Sequence, residues 1–140
     1  MVRKYSGVVD GDLRRLFQQF LSALWVGNDD LHLKNLSLSQ HANRGYALSP
    51  AYDLVCTRLY PQLSKGMALP LNGRKLHYRR SHFIAFAAHC GIGADEADAE
   101  IDRLRGKFTI VSQLVDRSML PPPFQLTYKR QLAVKNRALE

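Results

Sequence analysis

The chain has few cysteines, no long apolar run and few acidic residues relative to basic ones. Its two cysteines, Cys56 and Cys90, are far apart and form no C-x-x-C pair. This spacing favours two reduced thiols over a disulfide or a metal site. The longest apolar runs, near residues 20–26 and 83–90, are too short to cross a bilayer, and no apolar signal core follows the first residues. These absences predict a cytoplasmic protein without a membrane span.

Two features of the composition are abundant instead, apolar side chains and positive charge. Hydrophobic residues occupy 46% of the 140 positions, which is enough for one packed domain. The chain carries 20 basic and 12 acidic residues, a net charge of +8. Such an excess favours contact with polyanions such as nucleotide phosphates, nucleic acid or an acidic protein face, without choosing among them.

The first predicted element is an amphipathic helix. Leucine and phenylalanine recur at three- and four-residue steps from residue 10 onwards, with polar residues on the other face. Asp10 or Asp12 can cap its first amides. The pattern ends near Val26, and Gly27 is the stop signal.

Periodicity and turn chemistry predict the remaining elements. The expected fold is α+β and mainly helical, a single domain over 1–140 with its core over about residues 10–120. A proline-rich spacer and a basic tail, either frayed or a short helix, are expected over 121–140. The predicted elements are helices over 81–91 and 95–105, an apolar stretch over 108–115 that is not assigned to an element, and hairpins over 36–49 and 67–78, the second around Asn72-Gly73.

Several polar residues lie between the first helix and the first hairpin or directly after that hairpin. Asp30 and Asn35 are five positions apart, Lys34 lies between them, and Asp53 follows the hairpin. A phosphoryl transferase needs a carboxylate for the attacking hydroxyl, two oxygen ligands for Mg²⁺ and a cation near the transferred group. Protein kinases place the first carboxylate and an Asn ligand on one loop, and a second Asp ligand farther along the chain. The spacing therefore predicts a phosphotransferase loop.

Two motifs around these residues resemble those of a known family. The run GNDDLHLKN at residues 27–35 resembles the G-N-x-D-x-H-x-K-N catalytic loop of HipA-type serine/threonine kinases. The run LSPAYDL at residues 48–54 resembles the L-S/A-P-x-Y-D segment of the same family. The resemblance covers about residues 10–105 and implies a protein-kinase-like C-lobe of the HipA C-terminal type.

The resemblance also implies a function. It implies ATP and Mg²⁺ as cofactors, a serine or threonine hydroxyl as acceptor, and a toxin role in a bacterial toxin–antitoxin module. The partners it implies are a helix-turn-helix antitoxin and, through that complex, DNA. The site residues it implies are Asp30 as the catalytic carboxylate, Asn35 and Asp53 as Mg²⁺ ligands, and His32, Lys34 and Tyr52 with these two ligands around the nucleotide.

One departure from the family concerns the N-terminal lobe, which carries a phosphate-covering loop and a lysine. Neither feature precedes Asp10, and Gly91-Ile92-Gly93 leads into an acidic stretch, which favours a turn between helices. We therefore expect the chain to be inactive alone, whether it is a truncated gene product, an expressed fragment or one half of a split kinase whose N-lobe is supplied in trans.

Two other interpretations fit parts of the sequence. The first is a non-enzymatic module that binds an antitoxin or DNA, which the positive charge and the missing lobe favour; the basic stretch 74–80 is a candidate surface for it. The second is a metal-dependent phosphate hydrolase that uses Asp29, Asp30, His32 and Asp53 around one metal. The position of Asn35 disfavours this second interpretation.

Overall fold

The computed structural model describes residues 1–43, 45–60, 62 and 66–140. Within these ranges the chain is mainly helical with one small antiparallel hairpin, which confirms the predicted fold class. Two single 3₁₀ turns, at Leu33–Asn35 and Thr57–Leu59, interrupt the loops. The helices and strands are α1 (Val2–Tyr5), α2 (Val9–Val26), β1 (Leu38–His41), β2 (Gly45–Leu48), α3 (Arg80–His89), α4 (Ala94–Arg105), α5 (Phe108–Asp116) and α6 (Pro122–Ala138).

Helix α2 is the central element of the core. Its apolar stripe, which includes Phe17, Leu21 and Leu24, is almost fully buried. Gly27 ends the helix in the left-handed conformation with φ 82°, and the Asn28 N–H donates to the Ala23 carbonyl at 2.8 Å. A side chain at Gly27 would lie 3.1 Å from Cys56 Sγ, so both the backbone and the space favour glycine. The predicted helix and its stop signal are confirmed.

The start of α2 differs from the prediction that an aspartate caps it. The N-cap is Val8, and no side chain caps the helix. Asp12 is fully buried and instead accepts hydrogen bonds from the Leu48 N–H at 2.6 Å and from the Ser6 hydroxyl at 2.7 Å. Asp10 is exposed. Asp12 therefore joins the helix to the hairpin and to the N-terminal segment that follows α1.

The two predicted hairpins have different outcomes. Strands β1 and β2 pair from Leu38 with Leu48 to His41 with Gly45; Arg44 of the predicted turn lies outside the described residues. At Asn72-Gly73 the turn forms, with positive φ at both residues and reciprocal hydrogen bonds between Leu71 and Arg74. No strands extend from that turn in the described residues. The Met67 N–H donates across the two arms to the Lys75 carbonyl at 3.0 Å, but the Ala68 and Leu69 N–H groups donate to the carbonyls of Asp29 and Leu31 instead.

Helix α6 (Pro122–Ala138) occupies most of segment 121–140, for which the sequence predicted a proline-rich spacer and a basic tail, either frayed or a short helix. Pro121 is the N-cap of α6, and Pro122 occupies the first helical position, where the missing N–H breaks no helical hydrogen bond. Leu132 and Leu139 are buried in the main core. The Trp25 indole N–H of α2 donates to Asn136 Oδ1 at 3.0 Å. The core therefore extends well beyond residue 120.

Two predicted absences can be compared with the described residues. Cys56 and Cys90 are both free thiols, Cys90 buried and Cys56 partly exposed. Among the helices of the described ranges, none combines the length and the apolar character that crossing a bilayer requires.

Candidate functional site

The polar loop at residues 27–35 directly follows α2, and Asn28 ties it to the segment that carries Asp53. Asn28 is almost fully buried. Its Oδ1 accepts the Asp30 N–H at 3.0 Å, and its Nδ2 donates to the Asp53 carbonyl at 3.0 Å. One buried amide therefore fixes the backbone at both candidate aspartates.

Asn35 and Asp53 are in direct contact. The Asn35 Nδ2 donates to Asp53 Oδ2 at 2.8 Å, while the Asn35 Oδ1 accepts the His32 N–H at 2.9 Å. Asn35 is buried and Asp53 is exposed. Asp53 has a left-handed backbone with φ 57°, a conformation that Asp tolerates better than most residues, and both its carbonyl and its carboxylate are held by the loop. Folding thus brings the two predicted metal ligands together.

The other predicted site residues lie on the polar loop or next to Asp53, and they differ in exposure and in their contacts. Asp30 and Lys34 are exposed, and His32 is half-buried. The Tyr52 hydroxyl donates to the Lys34 carbonyl at 2.7 Å. Tyr52 therefore braces the loop through its backbone, a contact that the sequence analysis did not predict.

The donor set at Asn35 and Asp53 suits a hard divalent cation. Magnesium prefers a few carboxylate or amide oxygens, with water and phosphate oxygens completing its shell. Asp53 is solvent-accessible and its backbone is fixed, so a ligand can reach its carboxylate. In the part of the chain that the structure describes, no group of three or more His, Cys, Asp or Glu residues could hold a metal. Asn35 and Asp53 could supply two oxygen ligands to such an ion, and its other ligands would have to come from water or phosphate oxygens.

Asp29 lies in a different environment from Asp30, although the two are adjacent. The Asp29 carboxylate is buried and pairs with the Arg58 guanidinium at 3.1 Å. Its N–H donates to Thr57 Oγ1 at 2.9 Å. This burial argues against the hydrolase interpretation, which needs Asp29 at the metal. The sequence analysis missed Arg58 and Thr57, and no local pattern could reveal them, because they lie nearly 30 positions from Asp29.

Helix α6 contributes a cation near this ion pair. Lys135 is half-buried. Burial, reinforced by the positive charge of Arg58, lowers the pKa of Lys135 from 10.5 to about 8. The negative charge of Asp29 opposes this shift only in part. Lys135 is therefore a destabilising charge at neutral pH.

Replacing Lys135 with methionine should stabilise the fold at pH 7 by on the order of 2 kcal/mol. Because the folded chain releases this proton above about pH 8 and the unfolded chain only near 10.5, the unfolded state binds more protons in that window. The free energy of unfolding of the wild type therefore rises between pH 8 and 10.5, as the folded chain loses the unfavourable charge. Over the same range the stability difference between Lys135→Met and the wild type should disappear. Urea titrations at pH 7 and 10 measure both effects.

The matched control for this prediction is Lys129→Met on the same helix. Lys129 forms a surface ion pair with Asp116, and its loss should change stability by less than about 1 kcal/mol at pH 7. Equal stability changes for the two variants at both pH values would contradict the role assigned to Lys135.

The basic stretch 74–80 divides between fold and surface. Arg80 binds Asp98 at 2.6 Å and Asp102 at 2.7 Å, and it also donates to the Leu139 carbonyl. It therefore clamps α3, α4 and the end of the chain together. The exposed cations of the stretch are Arg74, Lys75 and Arg79.

The chain is similar in sequence to proteins of one family. The model of the HipA-like C-terminal domain matches residues 1–111, so the match ends within α5 and does not include α6. A Haemophilus influenzae protein named "Putative kinase" is 29% identical over 147 residues, covering 88% of this chain and 42% of that protein. "Putative kinase Y4mE" of Sinorhizobium fredii is 35% identical over 74 residues, covering 53% of this chain and 17% of that protein.

A solved structure shares the fold. It is a chain of the Shewanella oneidensis MR-1 toxin–antitoxin complex of HipA, HipB and operator DNA. The TM-score is 0.75 at 23% identity, covering 89% of this chain and 30% of that one. The chain thus spans less than half the length of each of these proteins. Since the family model matches most of its residues, the chain belongs to the HipA-like C-terminal domain family.

Proposed function

We propose that this chain is the catalytic-loop lobe of an ATP-dependent, Mg²⁺-requiring serine/threonine kinase of the HipA type. The observation that carries the proposal is the 2.8 Å contact between Asn35 and Asp53, on a loop that also presents Asp30. A kinase needs these oxygen ligands and a separate carboxylate on one surface. Membership of the HipA-like family supports the same assignment.

Each residue has a defined task in this proposal. Asn35 and Asp53 would hold Mg²⁺, which when bound with ATP neutralises charge on the phosphates. Asp30 is exposed and would orient the attacking hydroxyl and accept its proton. Lys34 would place its ammonium near the phosphates, with its backbone held by Tyr52. His32 donates its N–H to Asn35 Oδ1 and would thereby orient that ligand.

The wider role in the proposal is that of a toxin in a bacterial toxin–antitoxin module, acting in the cytoplasm. The proposal includes an N-lobe partner in trans that would supply the remaining contacts to the nucleotide; the relatives and the structural neighbour extend well beyond the stretch that matches this chain. The structural neighbour was solved with HipB and operator DNA, which supports a helix-turn-helix antitoxin as the partner and DNA contact through that complex.

Thermal unfolding with and without ATP and Mg²⁺ tests the kinase proposal. At a ligand concentration about tenfold above its Kd, binding should add about 1.4 kcal/mol, or roughly 4 °C in Tm for a domain of this size. Asp53→Asn should abolish this shift, because it removes the charged ligand oxygen while Asn tolerates the left-handed backbone and can still accept from Asn35.

The control variant is Asp10→Ala, which removes an exposed carboxylate elsewhere and should keep the full shift. The proposal fails if wild type shows no shift even when an N-lobe is supplied in trans, or if Asp53→Asn retains it.

A second candidate function is a non-enzymatic module that binds an antitoxin or DNA. The net charge of +8 and the exposed cations of the basic stretch favour it. In this case binding to a DNA duplex should weaken steeply with salt and should be unchanged by Asp30→Ala.

A further inference from the structure

The Asp29–Arg58 ion pair joins the polar loop to the segment that follows Asp53. Asp29 occupies the variable position of the G-N-x-D motif, next to Asp30. Its side chain is only 4% exposed and that of Arg58 is 23% exposed, with Oδ2 and Nη2 3.1 Å apart. A buried carboxylate needs such a partner, since an unpaired charge in this position is strongly unfavourable. The pair is therefore part of how this loop is held.

Further contacts fix the backbone around the pair. Thr57 Oγ1 accepts the Asp29 N–H and donates to the Gly27 carbonyl at 3.3 Å. The Arg58 stem packs against Gly27, with its Cδ 3.6 Å from where a glycine Cβ would lie. On the other side, the Asp29 carbonyl accepts the Ala68 N–H at 2.9 Å. Residues 57–58 thus form a support under the entry to the loop.

The same support belongs to the segment that carries Asp53. Thr57 and Arg58 follow Asp53 by four and five residues, and Asn28 binds the Asp53 carbonyl from the loop side. Two sets of contacts therefore join the loop to this segment. Asn28 and Asn35 donate hydrogen bonds to Asp53, and Asp29 pairs with Arg58.

We propose that Asp29 and Arg58 are positioning residues that set the separation between the loop bearing Asp30 and Asn35 and the segment bearing Asp53. The inference rests on the proposed function, in which those three side chains share one Mg²⁺–ATP site. Groups behind metal ligands commonly affect metal affinity by roughly 10- to 100-fold without touching the ion.

The test uses a double variant, Asp29→Asn with Arg58→Met. This pair of changes removes both charges of the ion pair together, so the chain should still fold, whereas Arg58→Met alone takes the guanidinium away from a buried carboxylate. The first readout is hydrogen exchange at the Asp29 and Asp30 amides of the metal-free protein. The second readout is a Mn²⁺ titration, followed by paramagnetic broadening of the Asn35 side-chain NH₂ resonances.

We expect exchange at these amides to accelerate and the Kd for Mn²⁺ to rise, each by about tenfold or more. The single variant Arg58→Lys, which retains Asp29, should show exchange rates and a Mn²⁺ Kd close to those of the wild type, because it keeps the positive charge beside the carboxylate. Arg103→Met, which breaks the exposed Glu100–Arg103 pair on α4, should change neither readout.

Unchanged exchange at Asp29 and Asp30 overturns the inference, whatever the Mn²⁺ result. Faster exchange with an unchanged Mn²⁺ Kd overturns it as well, because the pair would then not act on the ligands. If wild type shows no broadening at Asn35, the proposed metal site fails. The exchange comparison then still decides whether the pair holds the loop.

Discussion

Replacing Asp12 with alanine should lower the free energy of unfolding by about 3–5 kcal/mol. The Asp12 carboxylate is fully buried and accepts from both the Leu48 N–H and the Ser6 hydroxyl. Without it the Leu48 N–H, inside the hairpin interface, loses its acceptor and cannot reach water. The change therefore removes two charge-assisted hydrogen bonds and leaves a buried donor unpaired.

Chemical denaturation of wild type and variant measures this effect, with Asp10→Ala as the matched control. Asp10 is also in the first turn of α2 but is exposed, so its loss should cost less than about 1 kcal/mol. Similar costs for the two variants would mean that Asp12 acts only on the helix dipole, and its proposed link to the hairpin would be wrong.

Replacing Leu132 with alanine should cost about 2–5 kcal/mol, because it empties a fully enclosed position in the main core. The size of this loss is informative because Leu132 lies in α6, outside the part of the chain that the family model matches. A large loss, in a single cooperative transition, would establish α6 as part of the same folding unit as the catalytic loop.

The control for Leu132→Ala is Val134→Ala, two positions farther along the same helix. Val134 is 51% exposed, so its truncation should change stability by less than about 1 kcal/mol. If both variants cost little, or if α6 melts in a separate early transition, the helix is an appendage and not part of the core.

The sequence was sufficient where the structure depends on neighbouring residues. The periodicity of α2 and the glycine after it predicted both the helix and its end, because an amphipathic stripe and a left-handed cap are local properties. The spacing of Asp30 and Asn35, with Asp53 beyond the hairpin, predicted that these residues form one site. In the folded chain Asn35 and Asp53 are in contact. Their roles as metal ligands are still predictions.

The sequence was insufficient where distant segments meet. Asp12 looked like a helix cap because capping is the common local use of aspartate, but its partner is a strand N–H 36 positions away. Arg58 had no visible relation to Asp29 in the sequence. The proline triplet suggested a spacer, but proline is also favoured at the first position of a helix, which is where Pro122 lies. These contacts depend on tertiary packing, which no local pattern encodes.

The hydrogen bond between Trp25 and Asn136 joins residues 111 positions apart. During synthesis on the ribosome, helix α2 and the polar loop after it therefore leave the exit tunnel long before helix α6, which packs against α2. In that interval the indole and the apolar surface later covered by Leu132 face water, which makes the nascent chain a candidate for chaperone binding. The 3₁₀ turn at Thr57–Leu59, which supports the loop, also contacts α6, so this support is complete only when the last helix docks.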